Sequence, residues 1–410
     1  MKSNKDGLST SRRTFLQTTG VAIASAAALP LKAMADSIET QPFDNGKRDL
    51  VIYPQKRPLM LITARPPHLE TPFRIFNDSV ITPNDAFFVR YHLANLPMSI
   101  DLSSYRLTVR GNVKSALSLS MEDIKSLAPA VEVVAVNQCS GNSRGYAKPR
   151  VFGAQLGNGS MGNARWVGVP LKAILDKAGI LEGARQVTFK GLDEPVLPST
   201  PRFIKALNVD HAMSGEPILA WSMNGTDIPF LNGYPIKLIV PGYSGTYWVK
   251  HLSEIEILDH EFDGFFMSTA YRVPATECEC VPAGTAASST HPITKLKVRS
   301  FITNLKSGDV VRGGQPLEIK GIAFDSGTGI KSVETSTDGG ATWSGATLGE
   351  NLGAYSFRAW STRIIPSSKG DLTILTRATA QSGEVQPSKE LWNPGGYMRN
   401  VIETISLVVA

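Results

Sequence analysis

The sequence predicts an α+β domain followed by a β-sandwich, and three observations predict it. Between residues 82 and 270, strand-like runs mix with short helical patterns. Residues 274–295 are rich in Pro, Ala, Ser and Thr with little periodicity, as in a linker or an extended crossing segment. From residue 300 onward, short alternating runs recur with turn residues between them and no helical period.

The N-terminus carries an export signal. Ser11-Arg12-Arg13-Thr14-Phe15-Leu16 precedes an apolar stretch from Val21 to Leu31, then Ala33-Met34-Ala35. A basic region, a short apolar region and an A-x-A site make a signal peptide over residues 1–35. The paired arginines, with Phe15 and Leu16 behind them, favour the twin-arginine route for folded proteins over general secretion. The mature chain is then expected in the periplasm. Without residues 1–35 the formal charge falls from +6 to +2, with 37 basic and 35 acidic residues. No basic run is interleaved with aromatics, so nucleic acid is not an expected partner. No later apolar run reaches the length of a membrane span.

In the first domain, Pro170-Leu-Lys-Ala-Ile-Leu-Asp-Lys-Ala-Gly179 puts Leu171, Ile174, Leu175 and Ala178 on one helical face with a glycine stop. Thr200-Pro201 reads as a cap opening a short helix to Leu207. Pro235–Val240 reads as a strand. In the second domain, Leu317, Ile319, Gly321 and Ala323 alternate with polar neighbours, and Ser336-Thr-Asp-Gly-Gly340 signals a hairpin. Ser356–Ser361 and Leu372–Ala378 are further strands.

The most informative stretch is Val131-Glu-Val-Val-Ala-Val-Asn-Gln-Cys-Ser-Gly-Asn-Ser-Arg-Gly145. An apolar, β-branched strand ends in a cysteine, followed by a small glycine-containing loop. Cys139 there is a nucleophile, a soft metal ligand or a buried structural thiol. Arg144 offers a planar fork for an oxyanion. The other two cysteines, Cys278 and Cys280, stand one residue apart, and their redox state is open. No CxxCH, CxxC or four-cysteine set occurs for haem, zinc or an iron–sulfur cluster.

Further groups recur along the chain. Phe87-Phe-Val-Arg-Tyr-His-Leu93 places Arg90 and His92 on one face of an extended segment. Leu192-Asp-Glu194 adds an acid at a strand end. Pro241-Gly-Tyr-Ser-Gly-Thr-Tyr-Trp-Val-Lys250 is a glycine-containing loop ending in a cation, and Tyr271 lies shortly after it.

In this order the motifs resemble the sulfite oxidase family of molybdenum enzymes. Those carrying the resemblance are Cys-Ser-Gly-Asn-Ser-Arg at 139–144, Phe-Val-Arg-x-His at 88–92, Leu-Asp-Glu at 192–194 and Met-Asn-Gly at 223–225. The loop 241–250 and Asp-Gly-Gly…Trp at 338–343 complete the set. Within the family the chain is most similar to the catalytic subunits of bacterial periplasmic sulfite dehydrogenases.

The resemblance implies a molybdopterin-binding domain over 36–285 and an immunoglobulin-like domain of dimerisation type over 286–410. It implies one Mo-molybdopterin per chain, no haem, and Cys139 as the thiolate ligand of molybdenum. Arg90, Arg144 and Tyr271 would surround the substrate anion. His92, Asp193, Asn232, Lys237, Trp248, Val249 and Lys250 would hold the pterin and its phosphate. Asn232 stands where the family has a histidine, and Lys237 where it has an arginine.

The implied reaction is oxygen-atom transfer to sulfite, with electrons passed to a c-type cytochrome. The protein would be a homodimer or a heterodimer with a cytochrome subunit. Three alternatives remain: a sulfane-sulfur dehydrogenase or related molybdopterin oxidoreductase, a hydrolase using Cys139 and His92, and a binding module built on the sandwich.

Overall fold

The computed structural model describes residues 38–367 and 369–410. The expected signal peptide and its cleavage site therefore lie outside the described residues. The first half is built from three sheets whose edges and loops meet at one cleft. An antiparallel meander runs Ile38–Thr40, Lys47–Val51, Leu59–Thr63, His68–Glu70 and Val89–Arg90. Its last pairing sets His68 opposite Arg90.

A second sheet has the order Ile204–Asn208, Gln186–Gly191, Leu252–Leu258, Leu107–Gly111, Leu117–Leu119, with one parallel pair at its centre. The third runs Thr226–Asp227, Ile218–Met223, Met161–Pro170, Val131–Gln138, and Lys237–Ile239 also pairs with Ile218–Met223.

Helices are few, and the longest among the described residues is Leu171–Ala178. It forms where the apolar spacing predicts it, burying Leu171, Ile174, Leu175 and Ala178 before Gly179 turns the chain at φ +69°. The helix expected after Thr200-Pro201 is absent. Ile204–Asn208 is instead a strand, antiparallel to Gln186–Gly191. The local cap signal loses to a ladder that satisfies five residues at once and buries Lys205, Ala206 and Leu207.

The second half contains two sheets. One has the order Arg299–Ile302, Leu317–Phe324, Arg358–Ile364, Thr347–Leu348; the other Val310–Val311, Glu403–Val409, Gly370–Ala380, Ile330–Ser336, Ser344–Gly345. Ile319, Ala323 and Trp360 from one meet Val333, Ile374 and Leu407 from the other in a common core. The hairpin at 336–340 is present. Cys278 and Cys280 form a disulfide in the segment that joins the halves. The halves also share apolar core, because Phe301, Phe324 and Phe357 pack into the larger cluster of the first half. Among the described residues, no helix is long and apolar enough to cross a membrane.

Candidate active site

Val131–Gln138 sinks from exposed to fully buried along its length and delivers Cys139 to the cleft. It pairs residue by residue with Met161–Pro170, ending at Gln138 opposite Met161. Residues 139–160 are thus an excursion between partnered strands. The loop is tied at its base, where Cys139 N donates to Ser160 O at 2.9 Å and Asn142 N donates to Cys139 O at 2.9 Å. The thiol is unpaired and half-buried. Ser140 and Ser244 hydroxyls are hydrogen-bonded to each other beneath it.

The cleft holds about 640 Å³ of space. Arg90 lines it from the end of the meander and makes no ion pair among the described residues. His92, two residues on, lies flat on Phe203 with ring centroids 3.7 Å apart. Its Nε2 is hydrogen-bonded to the Tyr271 hydroxyl. Burial first, then the Arg90 guanidinium, pushes the His92 pKa well below the usual imidazole range. Burial also raises the Tyr271 phenol above its ordinary value. Both groups are neutral near pH 7. Tyr271 sits at φ +60°, an uncommon backbone for a tyrosine, which fixes its ring over the cleft.

Two lysines, Lys237 and Lys250, line the opposite end. Lys237 is 2 % exposed and its ammonium lies 4.8 Å from the Trp166 ring and 5.5 Å from the Trp248 ring. Burial, then the neighbouring Lys56, lowers its pKa to about 7. Lys250 donates to Leu231 O at 2.9 Å and lies over Tyr91. Burial and Lys237 together hold its pKa well below the usual amine range. Asp193 is the one carboxylate lining the cleft among the described residues, and burial raises it to about 6.

The remaining expected residues divide. Trp248 lines the cleft and donates its indole N–H to Tyr243 O at 3.2 Å. Asn232 lines it too, but its amide is committed: Oδ1 accepts from Lys56 and Nδ2 donates to Phe88 O at 2.9 Å. Val249 is buried behind the wall and offers no side chain to the cleft. Arg144 lies just outside, folded over Gly141, donating Nε–H to Gly395 O at 2.9 Å. A Cβ on Gly141 would meet its guanidinium at 2.8 Å, so a larger residue there would displace the arginine head.

Other residues at the site were not foreseen. Asn137 Oδ1 and Thr246 Oγ1 line the cleft, buried and without partners among the described residues. A polar Asn-Gln pair closing the apolar run Val133–Val136 is the signal for Asn137 in the sequence. Lys205 is buried within Phe203-Ile-Lys-Ala-Leu207, donating to Phe266 O at 2.7 Å beneath Tyr271. Behind the cysteine loop, Glu70 accepts from Ser160 Oγ at 2.8 Å and Gly157 N at 3.1 Å, and His68 contacts Ser160 Oγ at 2.9 Å.

Such a cleft suits a polar, anionic organic group rather than a bare metal ion. Among the described residues, no cluster of three or more His, Cys, Asp or Glu could hold a metal alone. One thiol, two orphaned acceptors and two lysines, Lys237 buried and Lys250 partly so, fit a metal whose other donors and phosphate come with a cofactor.

Residues 93–266 match the oxidoreductase molybdopterin binding domain, and residues 290–408 match the Mo-co oxidoreductase dimerisation domain. Mitochondrial sulfite oxidase of Homo sapiens is 31% identical over 398 residues, covering 93% of this chain and 70% of that protein. The chain belongs to the sulfite oxidase family. Sulfite oxidase of Gallus gallus is 31% identical over 363 residues, covering 84% of this chain and 77% of the relative. The fold is shared with the sulfane dehydrogenase SoxCD from Paracoccus pantotrophus, at TM-score 0.70 and 23% identity, covering 93% of this chain and 90% of that one. As a member of the sulfite oxidase family the chain is a molybdenum oxidoreductase whose cofactor is a molybdopterin.

Proposed function

We propose that the chain oxidises sulfite to sulfate in the periplasm and passes the electrons to an external c-type cytochrome. The observation that carries this reading is the unpaired Arg90 guanidinium facing the same cleft as the Cys139 thiol and the His92–Tyr271 pair. A site with one carboxylate, the Arg90 guanidinium and two lysines that an incoming anion would hold protonated favours a small dianion.

When bound, the molybdenum centre supplies the oxygen atom and takes up the electron pair. Cys139 binds the metal as a thiolate. Lys237 and Lys250 hold the pterin phosphate, with Asp193, Asn137, Thr246 and Trp248 along the pterin. Arg90 binds sulfite oxygens and offsets the negative charge as sulfate forms. His92 stays neutral, so with its proton on Nε2 it donates to the Tyr271 oxygen and turns the phenol hydrogen toward the anion. Arg144 lends charge from just behind the cysteine loop. The net change is sulfite plus water to sulfate, two protons and two electrons.

The catalytic domain spans 36–285. An immunoglobulin-like domain spans 286–410 and pairs two copies, or seats a cytochrome subunit. Purified exported protein should contain about one Mo per chain and reduce cytochrome c only when sulfite is added. Faster turnover with a sulfane-sulfur substrate, or peroxide formation from oxygen without cytochrome reduction, would reject this assignment.

A further inference from the structure

The second half of the chain backs the cleft wall from behind the cysteine loop. After Gly370–Ala380, residues 393–398 leave the sandwich and lie on the cysteine loop. Met398 N donates to Ser140 O at 2.9 Å, one residue from the thiol, and Gly395 O accepts from Arg144 Nε. Gly396 is pressed so close that an added Cβ would stand 2.5 Å from Val151 and 2.9 Å from Arg144. The loop is internally fixed. Asn393, 4 % exposed, accepts from Tyr397 N at 3.0 Å and donates to Tyr397 O at 2.8 Å, gripping that residue on both sides.

The grip aims one ring. Tyr397 stacks on Tyr271 with centroids 5.6 Å apart and planes 28° from parallel. The Arg144 guanidinium carbon sits 4.9 Å from the Tyr397 ring centre. The Tyr397 hydroxyl makes no hydrogen bond among the described residues, so the faces of the ring make its contacts. Tyr271 itself has the uncommon φ of +60° and its own hydroxyl committed to His92. His92, Phe266 and Lys205 of its own half also pack against it, and Tyr397 is the neighbour supplied by the other half.

We propose that Tyr397 is a positioning residue for anion binding: from behind the pocket, its ring sets the placement of Tyr271 and Arg144. The inference rests on the anion-oxidising role proposed above. Stacking and cation–π contact supply the restraint. Groups that must meet an anion lose much of their effect when displaced by about an ångström. The ring acts through its neighbours and touches no reacting atom.

The test compares Tyr397→Leu with Tyr397→Phe in full-length, molybdenum-loaded protein. Leucine removes both ring faces, and KM for sulfite should rise about tenfold or more while kcat changes less than about threefold. Phenylalanine keeps the faces and should recover most of that loss. Sulfate binding measured by calorimetry should weaken about tenfold in the leucine variant and return in the phenylalanine variant. That readout holds even if the natural substrate is another sulfur anion, so it separates failure of this inference from failure of the sulfite assignment. If leucine prevents folding, Tyr397→Met carries the same expectation. Unchanged KM and sulfate affinity in a folded variant without the ring would overturn the proposal. So would equal loss in the phenylalanine and leucine variants.

Discussion

The Lys56 ammonium donates to the side-chain oxygen of Asn232, and to the backbone carbonyls of Asn84 at 2.6 Å and Phe87 at 2.9 Å. All three of its protons are used, and none points into the cleft. The amide of Asn232 can accept from Lys56 and donate to Phe88 O at once. Asn232 is thereby fixed from both ends of its amide, and its side chain braces the cleft wall rather than reaching into the cleft.

Lys56→Met should therefore destabilise the protein by about 2–4 kcal/mol, because three buried acceptors lose their donor. Paired with Asn232→Ala, it should show a coupling of about 1–3 kcal/mol in a double-mutant cycle of urea unfolding. Additive losses would mean the two side chains act separately.

Glu70 predicts a pH dependence. Burial raises its carboxyl to about 7 from an ordinary 4.5, despite the hydrogen bonds from Ser160 and Gly157. A raised acid is protonated in the folded chain where the unfolded chain is ionised. Its contribution to stability is thus full below about pH 4.5 and is lost as pH rises to about 7, a span of roughly 3 kcal/mol. Glu70→Gln removes that loss. Melting curves should show the variant gaining on the native protein between pH 5 and pH 8; a constant difference would place the carboxyl's titration elsewhere.

Cys139→Ser should abolish sulfite oxidation and leave the fold intact, since a hard hydroxyl replaces a soft thiolate at a position held by backbone bonds. X-ray absorption at the Mo edge should lose one Mo–S contribution. Substantial turnover would remove Cys139 from the metal sphere.

Arg90→Met should lower kcat/KM by about 10²–10³ without loss of stability, as for removal of one oxyanion donor from a residue with no structural ion pair. Normal kinetics with a lowered melting temperature would make Arg90 structural.

Replacing Arg12 and Arg13 with lysine should strand the precursor in the cytoplasm, whereas the native chain should begin at Asp36 after export. Intact mass and cell fractionation read both outcomes.

How much of this is legible in the sequence depends on the range of the interaction. Cys139 can be found because a β-branched run ends there, and Leu171–Ala178 because its period is local. The strand Ile204–Asn208 cannot, because the partner that decides it, Gln186–Gly191, competes with a nearby Thr-Pro cap. Lys56, Lys205 and Lys237 resemble surface lysines in one dimension. Their burial is set by distant rings and carbonyls. Arg144 is found as a cation of the loop, but its placement under Gly395 depends on a segment from the far end of the chain.

Met398 N bonded to Ser140 O has a consequence for how this architecture can be cut and recombined. Here Arg299 donates to Ser143 Oγ at 3.0 Å, and Trp392 donates to Pro149 O at 3.0 Å, so the thiol-bearing loop is sutured to the second half at several points. Exchanging the sandwich alone would bring a foreign 392–398 segment against an unaltered cysteine loop. A chimera should regain activity only when residues 139–151 travel with their matching loop.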